Sequence, residues 1–210
     1  METCENCLKD KALCVCDSVR PQKTRLHVLI LQHPQEPDKD LGSAKLAHLS
    51  LPNSTLKIGL SWPNLKKALG RETQASRWAV LYLGSGVKGE KPASGKGPAL
   101  HFVSKSGQIV PSPKPQELEG IVVIDGTWSQ AKALWWRNAW LLKLRRVILD
   151  SPYRSQYREL RKEPRKECLS TIESIAESLT ALGEPKEADE SLKLLFKSLL
   201  DKKREQLKKR

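Results

Sequence analysis

Five short apolar runs, spaced by helical or turn-forming segments, most constrain what this chain of 210 residues can fold into. RLHVLILQ (residues 25–32) leads to the helix-like SAKLAHLSL, and TLKIGL (55–60) leads to SWPNLKKAL, with Pro63 near a helix start. WAVLYL (78–83) enters a loop of Gly, Lys and Pro, IVVI (121–124) runs into DGTWSQAKALWW, and RRVILD spans 145–150. Strands that are apolar on both faces and alternate with helices are covered on both sides. The pattern therefore predicts an α/β fold: a mostly parallel sheet with helices on both faces, not a sandwich. LHFVS and GQIVP, with Gly107 near the turn, predict a hairpin on an edge.

Two helices should close the chain. STIESIAESLTAL opens on a capping-box pattern, Ser170 and Glu173, and places Ile172, Ile175, Leu179 and Leu182 on one face. DESLKLLFKSLLDKKREQLKKR (189–210) carries Leu192, Leu195, Phe196, Leu199 and Leu200 as its packing stripe. No internal repeat is visible. The expected division is a cysteine segment at 1–22, an α/β catalytic domain at 23–184 and a basic C-terminal helix at 185–210.

Lys and Arg number 37 against 24 acids, a net charge of +13 and a pI near 9.6. Such an excess attracts polyanions, nucleic acid first among them, although a solubility surface has the same signature. No apolar run reaches the ~18 residues of a membrane span. The N-terminus, METCENCLKD, is charged and lacks the apolar core of a secretory signal, so a cytoplasmic chain with reduced thiols is expected.

Cys4, Cys7, Cys14 and Cys16 form C-x2-C-x6-C-x-C. Four thiolates complete a tetrahedral Zn²⁺ site with no open position, so the ion would be structural, and its binding would supply folding energy to a segment too short for a core of its own. Disulfides are the rival, which a cytosolic chain disfavours. Cys168 stands alone as a packed thiol. The loop Gly84-Ser-Gly86-Val-Lys-Gly89 matches G-x-G-x-x-G formally, but GEKPASGKGP follows and cannot open a helix, so the dinucleotide reading fails. A Walker loop fails too, because Gly97 follows Gly95-Lys96. What remains is a lysine-bearing loop at the carboxyl end of a strand, where α/β proteins bind ligands.

In IVVIDGTWSQAKALWW, Asp125 ends a dry strand and Thr127-x-x-Gln130 offers a capping box to the next helix. The bland reading is a helix start, with Trp128 and Trp135 as core on one helical face. The chemical reading is a carboxylate at the carboxyl edge of a parallel sheet, able to accept a proton, beside a glycine that admits a ligand to the backbone. His33 and Glu36 lie just past the first strand, at the same kind of edge. His27, His48 and His101 carry no signal.

DGTW, HPQE (33–36), LRKEP (160–164), LSTIESIA (169–176) and the N-terminal cysteines together resemble the DTW-domain family, across Cys4 to about Leu182. Those proteins are tRNA-uridine aminocarboxypropyltransferases related to the SPOUT class of knotted methyltransferases. The resemblance implies a SPOUT-like fold with a C-terminal trefoil knot. It also implies transfer of the 3-amino-3-carboxypropyl group of S-adenosylmethionine to nitrogen 3 of a tRNA uridine, with methylthioadenosine as by-product. Asp125 would be the base and Trp128 a wall beside the methionine carbons. The cofactor would lie against Leu83, Gly84, Ser85, Gly86 and Thr127, against Ser151 and Pro152, and against Leu169, Ser170 and Thr171. His33, Glu36, Arg154, Arg158, Arg161 and Lys162 become motif or RNA-binding candidates. Two alternatives stay open: a SPOUT-like S-adenosylmethionine-dependent RNA methyltransferase, and a zinc-containing RNA-binding protein without catalysis. Oligomeric state is not readable.

Overall fold

In β1 (His27–Gln32) every residue but the first is buried, and alternate side chains leave on opposite faces of the sheet. Val28 and Ile30 join one apolar cluster, Leu29 and Leu31 another. The same division runs through β5 (Gly120–Asp125), where Ile121 and Val123 face the first cluster and Val122 and Ile124 the second. A sheet apolar on both sides needs two covering layers, and it has them. The computed structural model describes residues 2–81, 97–157, 160 and 169–209. The remaining strands are β2 (Ser54–Ile58), β3 (Trp78–Leu81), β4 (Ala99–Val103) and β6 (Arg145–Asp150); the helices are α1 (Ala44–Ser50), α2 (Leu65–Leu69), α3 (Trp128–Arg137), α4 (Thr171–Ala181) and α5 (Lys186–Lys208). Helices α1, α4 and α5 cover one face, α2 and α3 the other.

The strands lie in the order β2-β1-β5-β3-β6-β4, all parallel except β4, which runs antiparallel to β6 at the edge. All five apolar runs are strands, as their patterning predicts. The expected hairpin is reduced: LHFVS pairs with β6, while GQIVP holds on through a single bridge, Val103 to Ile109, around Gly107 at φ 86°. Helix α2 starts after Asn64, whose side chain caps the Lys67 amide at 2.9 Å, so Pro63 stands just ahead of a helix start as expected. Helix α5 starts three residues earlier than its apolar stripe suggests, directly after Pro185. The cysteine segment packs Cys7, Leu13 and Val15 into the same cluster as α5, so it shares the main core.

The order of the strands creates a switch point. From β1 the chain moves through α1 to β2 on one side; from β5 it moves through α3 to β6 on the other. Adjacent parallel strands whose connections diverge leave a crevice outside their carboxyl ends, where open α/β sheets bind ligands. Here that crevice opens at Gln32 and Asp125, which are register partners.

Gly120 starts the central strand because nothing larger fits. It lies between His27 and Trp78, its register partners on β1 and β3. An added Cβ would come within 2.3 Å of the His27 carbonyl oxygen and 2.7 Å of the Trp78 ring. The ring is fixed in turn by its indole N–H, which donates to Thr73 Oγ1 at 2.8 Å. Gly120→Ala is expected to cost about 3 kcal/mol or more. At about 2–4 °C per kcal/mol for a chain of this size, its thermal midpoint falls by at least about 6 °C. Gly97→Ala meets nothing within 4 Å and should leave the midpoint in place; equal midpoints for the two variants would contradict this packing.

Candidate functional site

Asp125 closes β5 with its side chain 6% exposed, and both carboxylate oxygens accept hydrogen bonds. Gln32 Nε2, from the end of β1, donates to Oδ2 at 2.8 Å. The Thr171 hydroxyl, on the first residue of α4, donates to Oδ1. Two donors on opposite oxygens set the plane of the carboxylate and leave each oxygen a further lone pair. The backbone repeats the link, since the His33 amide donates to the Asp125 carbonyl at 3.0 Å. Asp125 and Thr171, both expected near the cofactor, are therefore brought together. Gln32 is a site residue that the motifs do not contain. Its signal was the one polar side chain closing an otherwise apolar run.

Beyond Asp125 the chain turns at Gly126, where a Cβ would stand 3.0 Å from Gln130 Cβ and 3.5 Å from His33 Cβ. Glycine permits this close approach of the loops after β1 and β5. Thr127 caps α3: its hydroxyl accepts from the Gln130 amide at 3.4 Å, and its own amide donates to Gln130 Oε1 at 2.6 Å. The predicted capping box is present, and it engages the Thr127 hydroxyl within the helix cap. Gln130 Nε2 also donates to Gln35 Oε1 at 3.1 Å, fastening α3 to the turn after β1. In that turn His33 is half-buried and Glu36 buried. Trp128 is 41% exposed rather than core, and Trp136 is 77% exposed. Only Trp135, beneath the Arg146 guanidinium at 5.9 Å, packs inward at 8%.

At α4 the Ser170–Glu173 capping box forms as predicted. Glu173 is buried and accepts four hydrogen bonds, from the Ser155 hydroxyl at 2.8 Å, the Gln156 amide at 2.7 Å, and the Ser170 amide and hydroxyl at 2.8 and 2.5 Å. Ser170 thus anchors the helix, and the outward group at this end is Thr171. The Ile172 amide donates to Ser43 Oγ at 3.1 Å, which ties the same helix end to α1. After β6, Ser151 makes a local turn with Tyr153, Pro152 and Arg154 are exposed, and Leu169 is half-buried before the cap. Leu83, Gly84, Ser85, Gly86, Arg158, Arg161, Lys162 and Cys168 lie outside the described residues.

The four cysteine sulfurs lie within 4.8 Å of one another. Cys4 and Cys16 are 3.7 Å apart and Cys7 and Cys14 are 3.8 Å apart, all four as free thiols. Those separations are far from a disulfide bond, about 2.05 Å. They match the edge of a tetrahedron whose centre lies about 2.3 Å from each sulfur. Backbone amides of Cys7 and Asn6 bring Cys4 down to about 6, whereas burial pushes Cys7 and Cys16 up. A bound cation reverses that burial penalty by holding the sulfurs as thiolates. The cluster can therefore hold a metal ion, closed on all four sides.

This segment also reaches the site. Lys9 is 4% exposed, and its Nζ donates to the Lys39 carbonyl at 2.9 Å. Burial lowers its pKa, while Cys7, Asp40 and Asp125 act in the opposite sense. Lys9 thus ties the cysteine segment to the turn after β1. Nothing in its spacing from the cysteines announced this.

The DTW domain profile matches residues 1–204. The chain is 30% identical over 184 residues to tRNA-uridine aminocarboxypropyltransferase 2 of Mus musculus, covering 85% of this chain and 56% of that protein. It is 29% identical over 194 residues to the Macaca fascicularis protein of the same name, covering 90% and 59%, and 28% identical over 195 residues to the Drosophila melanogaster one, covering 90% and 70%. It spans little more than half the length of the first two. No solved structure matches the chain.

Elemental analysis of the purified protein is expected to find one thiolate-bound ion per chain. Cys7→Ala should abolish it and lower the thermal midpoint, because Leu13 and Val15 lose their hold in the α5 cluster. An unchanged midpoint on removing the ion, or full metal retention in Cys7→Ala, would refute the site.

Proposed function

The chain belongs to the DTW-domain family, and on that premise we propose that it transfers the 3-amino-3-carboxypropyl group of S-adenosylmethionine to nitrogen 3 of a uridine in tRNA. The relatives' name supports the substrate and the group transferred. One observation carries the reading: a buried carboxylate pinned through both oxygens at the switch point between β1 and β5. Helix capping needs only Thr127 and Gln130, so Asp125 is held for something other than starting α3.

Uracil nitrogen 3 is a poor nucleophile while it bears its proton. Asp125 takes that proton as the bond forms, and the pair left on nitrogen attacks the aminocarboxypropyl carbon. The cosubstrate supplies a sulfonium leaving group: the carbon–sulfur bond breaks, its electrons stay on sulfur, and neutral methylthioadenosine departs. Gln32 and Thr171 keep the carboxylate in one orientation, so the geometry of proton transfer is set before the base arrives. Nitrogen 3 lies on the pairing edge of the base, so the uridine must be unpaired or flipped out of its stack. Trp128 stands two residues past Gly126, exposed beside this position.

The cosubstrate would lie in the crevice outside β1 and β5, between Gly126, Thr171 and the Ser151–Pro152 turn. The finer architecture, a C-terminal trefoil knot akin to the SPOUT class, belongs to the same proposal. Its support is that α4 brings its first residue back to Asp125 after the chain has left β5 through α3 and β6. The four cysteines are assigned a structural zinc, which favours four thiolates in a tetrahedron and keeps no position for a substrate. No helix among the described residues is long and apolar enough to cross a membrane, and a tRNA-modifying enzyme of this kind would act in the cytoplasm.

Asp125→Asn keeps the shape and the Thr171 bond, and Gln32 can turn its amide to meet the new one. The fold should survive while the transfer rate on tRNA falls about 10²–10⁴-fold, the range for a lost general base. Thr171→Val, which frees the carboxylate on one side only, should lower the rate less. Full activity in a folded Asp125→Asn protein would remove the base from the mechanism.

A further inference from the structure

Resting on the tRNA reading above, we propose that the outer face of α3 is a docking surface for single-stranded RNA, with Trp128 and Trp136 as base-stacking posts and Lys132 as the phosphate contact between them. The three residues stand at i, i+4 and i+8, so they share one side of the helix and span about 12 Å along its axis. Trp128 is 41% and Trp136 77% exposed, and Lys132 is exposed as well. The inward side of the same helix is taken by Ala131, Leu134 and Trp135, so the outer tryptophans are not needed by the core.

The course of α3 places this stripe along the mouth of the site. The helix begins beside Asp125, touches the turn after β1 through Gln130 and Gln35, and ends against the loop after β2. There Ser61 Oγ donates to the Arg137 carbonyl at 3.1 Å, and the Trp62 amide donates to Asn138 Oδ1 at 2.8 Å. Helix α3 therefore crosses the carboxyl ends of β5, β1 and β2 in turn. A strand lying on it would lead straight from the surface to Asp125.

Charge identifies the occupant. Residues 126–144, which contain α3, hold no Asp or Glu and three Lys or Arg; residues 51–71, which contain α2 on the same side of the sheet, hold no Asp or Glu and four, of which Lys66 pairs with Glu72. Lys67 and Arg137 are exposed within these stretches. A basic surface studded with flat aromatic rings suits a polyanion carrying stackable bases, since stacking accepts any base and the cations track phosphates. A second copy of this chain would present like charge to like charge, and two rings on a helix of ten residues are a small apolar area for a lipid surface.

Binding of unmodified tRNA to the full-length protein tests the assignment. Trp136→Ala should weaken it about thirtyfold, a mid-range loss for one stacked base, and Trp136→Phe should restore most of it. Lys132→Ala should reduce the slope of log affinity against log salt by about one. Thermal midpoints and S-adenosylmethionine affinity should stay at the parent values throughout. Parent-like tRNA binding in Trp136→Ala overturns the stripe. So does loss of a self-associated form, or of binding to anionic vesicles, as the only effect of that variant. If the unaltered protein binds no tRNA at all, the functional reading itself fails, which is a different result.

Discussion

A single carboxylate ties the ends of two paired strands to the start of a helix that arrives from far along the chain. Asp125 ends the central strand, Gln32 comes from the neighbouring strand nearly a hundred positions earlier, and Thr171 opens a helix 46 residues later. Buried polar groups are tolerated where they are hydrogen-bonded, and each of these bonds satisfies a donor that the apolar surroundings could not. Removing Asp125 would leave the Gln32 amide and the Thr171 hydroxyl to find other partners. The same two bonds hold the carboxylate at the switch point. Packing at this point and the proposed chemistry would rest on one geometry.

The supports of that geometry are themselves tied down from outside. Glu173 gathers four donors from the Ser155–Ser170 region and fixes the start of α4, so Thr171 has one place to be. The cysteine segment packs against α5 and sends Lys9 inward to the turn that follows β1. A metal ion in that segment would stabilise the site at a distance, by keeping Lys9 and the Lys39 turn in register. On the far side of the sheet, α3 buries Ala131, Leu134 and Trp135 against the core and leaves Lys132 and Trp136 exposed.

Local patterns were legible in the residues; long-range juxtapositions were not. The capping boxes at Thr127 and Ser170 could be read because cap and partner are three residues apart, and both are present. The five apolar runs announced a sheet buried on both faces, but their order, with β5 between β1 and β3, depends on contacts far apart in the chain. The edge hairpin was read as local when β4 gains more by pairing with β6. Trp128 differs from its core reading for another reason, and exposed Trp136 shares it. Spacing marks a tryptophan as apolar, while only the packing of α3 tells which of its faces is covered, and these two lie on the open one. The clustering of the four cysteines, by contrast, followed from residue type and spacing alone.

The proposed activity turns on which carbon of the sulfonium is delivered to the nitrogen. The most direct measurement is to incubate the purified protein with unmodified tRNA and S-adenosylmethionine, then identify the small-molecule by-product and the altered nucleoside. Methylthioadenosine, in step with uridine carrying the aminocarboxypropyl group at nitrogen 3, is the predicted result. Release of S-adenosylhomocysteine with a methylated nucleoside would contradict it.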